Sequence, residues 1–314
     1  MGSLSPSMRL DKLADMFIDA KESTRSDGTL SVYRSVIDKH IKPDLGRITI
    51  LEATPERLQA YIKAKSADHG YAAAKSIRTV LSGMLGMAVR SGAIQHNPVK
   101  EVEGIKTPSE VGSNAIPLDK VPAFLDAVAH CDYLVQRDEV DLIRFMLGTG
   151  FRAGEACGLC WDMVNFKEGK VTVERISKTV RGRGTILQPH PKTEKSRRTI
   201  SVPSFVLELL RRRQETVRPT EQGLVFPSVT GGVIEVSTFG RHLRKVRESL
   251  GYPELTSHSF RKTVASMLHD AGMSSKDIAD YLGHSDAEIT EQVYIQRNLK
   301  SDNAAALIDA AYEW

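Results

Sequence analysis

Apolar residues recur every three or four positions through the first hundred residues of the chain. These recurrences lie at Leu10, Leu13 and Phe17, at Val32, Val36 and Ile37, at Leu58, Tyr61 and Ile62, and at Ile77, Val80, Leu81 and Leu85. This period predicts amphipathic helices. Thr54-Pro55-Glu56 has the form of a helix start, with a capping Thr and a Pro in the first turn. The first part of the chain is therefore predicted to be helical throughout.

A segment without any period separates this part from the rest. Residues 104–117 (GIKTPSEVGSNAIP) combine Gly, Pro, Ser and Asn, which is typical of an exposed linker. At about 150 residues per domain, a chain of 314 residues has room for two domains. We place a helical domain at 1–107, the linker at 108–116 and a second domain at 117–314.

The second domain mixes helices with short strands. Helices are predicted near 118–129 and 134–148, and strands at Lys170–Ile176 and Arg198–Val202, separated by the basic, Gly-containing stretch 177–197. Helices resume after the second strand. The expected fold class is mainly α with a small antiparallel β-sheet.

Composition excludes several classes of protein. No apolar run approaches the roughly 18 residues of a membrane helix, and three cysteines are too few for a disulfide framework, which favours the cytoplasm. The net charge is only +4, but residues 170–218 hold 13 Lys and Arg against 4 Asp and Glu, whereas 263–314 hold 3 against 9. Such a local excess of positive charge favours a polyanionic partner, such as nucleic acid.

The first stretch that suggests chemistry is Gly148-Thr-Gly-Phe-Arg152-Ala-Gly-Glu155. Two glycines end one helix and another is expected to begin near Phe151, which puts Arg152 in a first turn, where free N–H groups favour an anion. Glu155 lies three residues on, within reach of the Arg152 guanidinium. Taken alone, the stretch fits a plain helix–helix turn with a surface arginine better.

The second stretch is His258-Ser-Phe-Arg261. Thr256 or Ser257 can cap a helix on which His258 and Arg261 share one face. A guanidinium can grip two phosphate oxygens at once, and an imidazole can transfer a proton near neutral pH. A capping histidine beside a surface arginine is the structural alternative.

Two further stretches carry side chains that could act on a phosphodiester. Leu282-Gly-His284-Ser285 precedes a helix carrying Tyr294, and Ser285 forms a capping box with Glu288. Tyr294 fits equally well as the aromatic anchor of an amphipathic helix. Lys192 lies in Pro191-Lys-Thr-Glu-Lys-Ser-Arg-Arg198, on a predicted hairpin that could bring an ammonium group to a phosphodiester.

In this order, Arg…Lys…His-x-x-Arg…Leu-Gly-His…Tyr, the four stretches resemble the tyrosine recombinase (phage integrase) family. The motifs stand in 149–285, Tyr294 follows ten residues after His284, and the helical first domain resembles the family's core-binding domain in pattern. The resemblance implies site-specific DNA recombination, such as phage integration and excision. It implies attack of the Tyr294 oxygen on a phosphodiester, which leaves a 3′-phosphotyrosyl link and a free 5′-hydroxyl.

The resemblance also implies the site residues. The catalytic set is Arg152, Lys192, His258, Arg261, His284 and Tyr294, with Glu155 in support. The two arginines would hold the non-bridging oxygens, His258 would transfer a proton at the Tyr oxygen, Lys192 would protonate the leaving 5′ oxygen, and His284 would hydrogen-bond the phosphate. No cofactor is expected: cationic side chains replace a metal, and the phosphotyrosine conserves the energy that ATP would supply.

The implied partners are a double-stranded DNA core or attachment site, further copies of the chain in a tetramer on two duplexes, and an accessory DNA-bending or directionality factor. Lys75 and Arg78, on a helix over 71–88, are candidate DNA contacts. The family's small arm-binding domain is expected to be absent, by nature or by truncation. Ala304–Tyr312 resembles the C-terminal helix that family members lend to a neighbouring subunit.

Alternatives remain at single positions and for the whole chain. Tyr281 is a second tyrosine near His284, although its spacing is typical of the core, and Lys195 or Lys178 could replace Lys192. Cys157-Gly-Leu-Cys160 lacks the second pair that a zinc site needs. The rival functions are a helix-turn-helix regulator, from residues 271–284, and a type IB topoisomerase.

Overall fold

The computed structural model of the chain describes residues 4–105, 114–180, 182–189, 197–283 and 308. Its contacts divide the chain into two units, Met1–Val111 and Gly112–Trp314. Each unit has its own hydrophobic core. Helices predominate in both, and the few strands are antiparallel, so the predicted fold class is confirmed.

The described part of the first unit is built from helices. They are α1 (Leu10–Glu22), α2 (Asp27–Val36), a π-helical turn (Ile37–Ile41), α3 (Lys42–Leu45), α4 (Pro55–Arg90) and a 3₁₀ turn (Pro98–Lys100). The Thr54 side chain accepts a hydrogen bond from the Arg57 N–H and so caps α4, as its sequence predicts. Gly70, with φ of 80°, interrupts α4 and divides it into two helical arms.

The second unit places a small β region among helices. Its first helices are α5 (Val121–Ala129), α6 (Asp132–Val135), α7 (Val140–Thr149) and α8 (Ala153–Cys157), with 3₁₀ turns at Leu118–Lys120 and Trp161–Met163. The strands are β1 (Val164–Asn165), β2 (Lys170–Thr172), β3 (Arg175–Val180), β4 (Gly184–Pro189) and β5 (Thr199–Ser201). The later helices are α9 (Ser204–Thr216), α10 (Val236–Val246), α11 (Ser257–Asp270) and α12 (Ser275–Leu282).

The strands form two separate antiparallel arrangements. One sheet has the order β1-β2-β5, with Val171 opposite Ile200, both buried; β3 and β4 form a hairpin. The predicted pairing of the two short strands is therefore present. The predicted strand over 170–176 is wrong in extent, however, because the chain leaves β2 at Thr172 and starts a separate strand, β3, at Arg175. Most of β3 and all of β4 lie in 177–197, the stretch expected to be a connection.

The β3–β4 hairpin lies directly against α8. A Cβ added to Gly158 would lie 2.7 Å from the backbone of Ile176 and Ser177, so only a glycine allows this approach. The buried Ser177 hydroxyl donates to the Ile234 carbonyl at 2.6 Å, which ties the hairpin to the segment before α10. The β3–β4 hairpin is thus attached through β3 to α8 and to the segment before α10.

Among the described residues, none of the helices combines the length and the apolar character needed to cross a membrane. Beyond Gly283, the described residue is Ile308, which is fully buried in the hydrophobic core of its own chain. The predicted segment Ala304–Tyr312 otherwise lies outside the described residues.

Two glycines three positions apart in α4 allow a test of packing in the first unit. A Cβ at Gly83 would lie 2.7 Å from the buried ring of Phe17, whereas at Gly86 it would make ordinary contacts of 3.5 Å. We expect Gly83→Ala to destabilise the first unit by about 1–3 kcal/mol because the core is overpacked. Gly86→Ala should stabilise it by up to about 1 kcal/mol, since alanine favours a helix interior.

Unfolding monitored by far-ultraviolet circular dichroism measures both changes. Tryptophan fluorescence is the internal control, because Trp161 and Trp314 both belong to the second unit. Its unfolding transition should be unchanged by either substitution. Equal effects of the two substitutions would contradict the packing described for Phe17.

Candidate active site

Arg152 occupies the N-cap position of α8, where α7 ends and the chain turns through Gly150, with φ of 67°. The helix was expected to begin near Phe151; it begins at Ala153, because the Glu155 carboxylate accepts from the Arg152 backbone N–H at 2.9 Å and so fixes the cap. The Arg152 Nη1 donates to Glu155 Oε1, also at 2.9 Å. The predicted ion pair is therefore present, with the Arg152 side chain 37% exposed.

Glu155 is shared with a second arginine, Arg198, for which the sequence predicts no role. Arg198 Nη1 and Nη2 donate to the two Glu155 oxygens at 3.1 and 2.8 Å. Both side chains are buried, with 7% and 2% exposed. Burial by itself raises the pKa of Glu155, but the guanidinium groups of Arg198 and Arg152 outweigh it and lower the pKa to about 2. Glu155 is thus ionised at neutral pH.

Arg261 lies one turn into α11 and is 2% exposed. Its Nη1 donates to the Gly150 carbonyl at 2.8 Å and its Nη2 to the Leu282 carbonyl at 2.5 Å. Desolvation by burial, followed by the charge of Arg152, lowers the pKa of Arg261. The group remains a cation, because guanidinium does not lose its proton in proteins. Arg261 therefore joins the end of α7 to the end of α12.

Three arginines meet at the C-terminal end of α12. The carbonyls of Tyr281, Leu282 and Gly283 accept hydrogen bonds from Arg198, Arg261 and Arg152, at 3.1, 2.5 and 2.9 Å respectively. The last carbonyls of a helix have no partner within the helix and attract cations. This end of α12 therefore brings Arg152 and Arg261 onto neighbouring peptide groups, immediately before His284.

His258 stands in the first turn of the helix that carries Arg261. Thr256 caps this helix by accepting from the His258 backbone N–H at 3.2 Å, so the predicted helix start is confirmed. The imidazole is solvent-accessible. Partial desolvation, then the positive charges of Arg261, Lys262 and Arg152, lowers the pKa of His258. The ring is therefore neutral at pH 7 and can accept a proton.

The remaining predicted catalytic residues, Lys192, His284 and Tyr294, lie outside the described residues, as does Lys195. Lys178, the other alternative, is half-buried on β3 and paired with Ile186. Tyr281 is 4% exposed, and burial raises its pKa, so its expected place in the core is confirmed.

The candidate DNA contacts lie on the second arm of α4, in the first unit. Lys75 is exposed, with its Nζ 5.8 Å from the centroid of the Tyr71 ring. Arg78 is half-buried and donates to the Val102 carbonyl at 2.9 Å. Both line a shallow groove with Lys100, so the groove carries positive charge.

The cysteines and acidic residues offer no metal centre among the residues that the structure describes. Cys157 is fully buried, and burial raises the pKa of its thiol. What the described site does offer is two guanidinium groups and a neutral imidazole, a combination suited to an anion with several oxygens and to proton transfer.

The Glu155 carboxylate should make the second unit sensitive to acid. Its pKa is about 2 in the folded chain against 4.5 as the ordinary value, so the unfolded state takes up a proton first as the pH falls. The contribution of Glu155 to stability is present above pH 4.5 and is lost towards pH 2. A shift of this size corresponds to roughly 3 kcal/mol.

We expect Glu155→Gln to be much less stable than the wild type at neutral pH, and the difference to shrink as the pH falls towards 3. Urea unfolding followed by tryptophan fluorescence at several pH values measures it. Glu208→Gln, at an exposed position of α9, is the control and should give a small, pH-independent change. A pH-independent difference for Glu155→Gln would contradict the shared ion pair.

Comparison with known families gives two matches that together span most of the chain. Residues 115–301 match the phage integrase family, and residues 10–105 match the phage integrase central domain. Among curated relatives, a tyrosine recombinase XerC-like protein of Caldanaerobacter subterraneus is 30% identical over 172 residues, which is 49% of this chain and 44% of that protein. The integrase of Mycobacterium phage L5 is 26% identical over 293 residues, covering 89% of this chain and 76% of that protein.

Solved structures agree in fold. The Tn1549 transposon integrase, in complex with a circular intermediate DNA, superposes with a TM-score of 0.81 at 20% identity, over 96% of this chain and 99% of that one. A lambda integrase tetramer bound to a Holliday junction gives a TM-score of 0.69 at 22% identity, over 94% and 80% of the two chains. Since the match at residues 115–301 covers more than half of the sequence, the chain belongs to the phage integrase family.

Proposed function

We propose that this tyrosine site-specific recombinase cuts and rejoins DNA through Tyr294. Attack of the phenolic oxygen on a phosphodiester forms the 3′-phosphotyrosyl bond and breaks the bond to the 5′ oxygen, which leaves as a hydroxyl once protonated. Attack by a 5′-hydroxyl on the phosphotyrosine reverses the step and releases the tyrosine. The proposed reaction is integration and excision of phage or prophage DNA, consistent with the similarity to the phage L5 integrase.

The observation that carries this proposal is the convergence of Arg152 and Arg261. Their guanidinium groups donate to the adjacent carbonyls of Gly283 and Leu282, so two cations lie close together at the point where the chain continues to His284. Placed there, both could bind non-bridging oxygens and stabilise the charge of a pentacoordinate transition state. Because Glu155 holds Arg152 in place, little reorganisation is needed when the phosphate arrives.

Proton transfer is assigned to the other members of the site. His258 is neutral at pH 7 because desolvation and neighbouring cations lower its pKa, so it is suited to accept the phenolic proton. Lys192 is proposed to protonate the leaving 5′ oxygen, and His284 to hydrogen-bond the phosphate. With these cations present, the proposed chemistry calls for no metal and no ATP.

The regulator and topoisomerase alternatives predict different behaviour. A helix-turn-helix regulator would place α12 against DNA through its exposed side chains, which include Lys276 and the acidic Asp280. A type IB topoisomerase would relax any supercoiled plasmid without pairing two duplexes. The XerC-like and phage integrase relatives favour recombination over both.

The partners of this reaction follow as part of the proposal. The chain is proposed to bind a double-stranded attachment site with both units and to assemble as a tetramer on two duplexes. The similarity to a lambda integrase tetramer bound to a Holliday junction supports the tetramer. An accessory DNA-bending or directionality factor and a bacterial cytoplasmic location complete the proposal.

Covalent capture tests the nucleophile. Wild-type protein and Tyr294→Phe are incubated in EDTA with fragmented phage and host DNA, denatured with SDS, and the attached DNA is sequenced. We expect an adduct with the wild type alone, with unchanged DNA binding by Tyr294→Phe, since only the phenolic oxygen is lost. Arg152→Ala should reduce adduct formation by about 10²–10³-fold, the effect of removing one transition-state donor.

The adduct also identifies the target site for later experiments. Site-specific binding without an adduct would contradict the proposed chemistry and favour the regulator. An adduct that survives in Tyr294→Phe would show that another residue attacks the phosphate.

A second test concerns the groove of the first unit. If Lys75 contacts a phosphate, Lys75→Ala should reduce the slope of log affinity against log salt by about 1, because one fewer counterion is released. Fluorescence anisotropy with the captured site, at several salt concentrations, measures this slope. Lys12→Ala, which removes an exposed lysine from α1 of the same unit, should leave it unchanged; equal slopes for the two variants would contradict the contact.

A further inference from the structure

Arg198 is a buried charged residue without a role in the mechanism proposed above. It lies immediately before β5, six positions after Lys192, and is 9% exposed. Besides its two bonds to Glu155, its Nε donates to the Tyr281 carbonyl at 3.1 Å. A lysine could not make these three directed bonds, because its ammonium is a single point of charge.

These contacts join three segments that lead to the proposed catalytic groups. Glu155 Oε1 also accepts from Arg152 Nη1 at 2.9 Å. Tyr281 belongs to the last turn of α12, the helix that ends shortly before His284. The chain itself connects Arg198 to the segment carrying Lys192. One side chain therefore contacts or adjoins the segments that lead to Arg152, His284 and Lys192.

The surroundings leave Arg198 little freedom. A Cβ at Gly283, whose φ is 71°, would lie 2.8 to 3.1 Å from Nη1, Cδ and Cζ of Arg198, so the side chain packs directly on this glycine. The guanidinium of Arg198 also lies over the Phe151 ring, with Cζ 5.1 Å from the ring centroid. Movement of Arg198 would therefore disturb both Gly283, which accepts from Arg152, and Phe151, which precedes Arg152.

We propose that Arg198 is a positioning residue for strand cleavage: it orients Arg152 through Glu155 and fixes the end of α12 from which His284 and Tyr294 follow. Arg198 acts through these groups and does not bind the phosphate. The inference rests on the proposed roles of Arg152 and Tyr294.

The same unit contains a matched arginine away from the site. Arg213 is 2% exposed, its Nε donates to the Val225 carbonyl at 3.1 Å, and its Nη atoms bind Asp138 at 2.9 and 2.7 Å. Its Cζ lies 4.8 Å from the Phe226 ring. Arg213 thus has the carboxylate, carbonyl and aromatic contacts of Arg198, but these partners belong to none of the groups assigned to catalysis.

The experiment compares Arg198→Lys with Arg213→Lys in the full chain. Single-turnover cleavage of DNA carrying the captured site is measured at saturating protein, well below the unfolding temperature of each variant, together with the Kd for the same DNA. Both substitutions should lower the unfolding temperature. Only Arg198→Lys should slow cleavage, on the order of 10²-fold for a misplaced guanidinium, with the Kd unchanged.

The outcomes separate the inference from the proposed function. If the wild type binds DNA site-specifically but forms no adduct, the proposed function fails. If the wild type cleaves and the two lysine variants cleave equally well, or lose activity only in proportion to their unfolded fraction, Arg198 is merely structural and the inference is wrong. Should either lysine variant not fold, Arg198→Gln and Arg213→Gln replace the pair.

A double-mutant cycle tests the route through Glu155. Arg198→Lys and Glu155→Gln disturb the same contact, so the loss of cleavage rate in the double variant should fall well short of the product of the two single losses. Arg213→Lys combined with Glu155→Gln should give the product of the two single effects. Full multiplication in the Arg198 cycle would overturn the positioning role through Glu155.

Discussion

The buried carboxylate of Glu155 is the interaction on which the rest of the site depends. An ionised carboxylate that is 2% exposed would be strongly destabilising without partners, and here two guanidinium groups and a backbone N–H surround it. Because it is bound on both sides, it fixes the relative position of Arg152 and Arg198. These in turn reach the carbonyls of Gly283 and Tyr281, so one acidic group orders the end of a distant helix.

Among the described residues, positive charge exceeds negative charge at this point. Arg152, Arg198 and Arg261 bring three positive charges near the single carboxylate of Glu155 in the part of the site that the structure describes. Burial makes such an excess unfavourable unless another anion can approach, and a phosphodiester is an anion of suitable shape. Desolvation, followed by the charges of Arg261, Lys262 and Arg152, lowers the pKa of His258, so two of these arginines favour both phosphate binding and a neutral proton acceptor.

The sequence predicts those contacts that form between residues close together in the chain. The caps at Thr54 and Thr256 and the pair of Arg152 with Glu155 involve residues at most three positions apart, where helix geometry decides which groups meet. The bond between Arg198 and Glu155 spans 43 positions and depends on how the segment before β5 lies relative to α8, which no local pattern encodes. The β3–β4 hairpin was missed because its strands lack the apolar alternation of a half-buried sheet.

The hydrogen bonds at the end of α12 have a consequence for the cell that houses the protein. An enzyme that breaks DNA is a hazard while it is being synthesised, or after it has been damaged. Here the two arginines proposed to grip the phosphate are brought together by peptide carbonyls of an intact helix end. A chain whose α12 is unformed, frayed or cut would lack these carbonyls, and with them one of the contacts that hold each arginine, so incomplete or degraded copies would cleave DNA more slowly than intact ones.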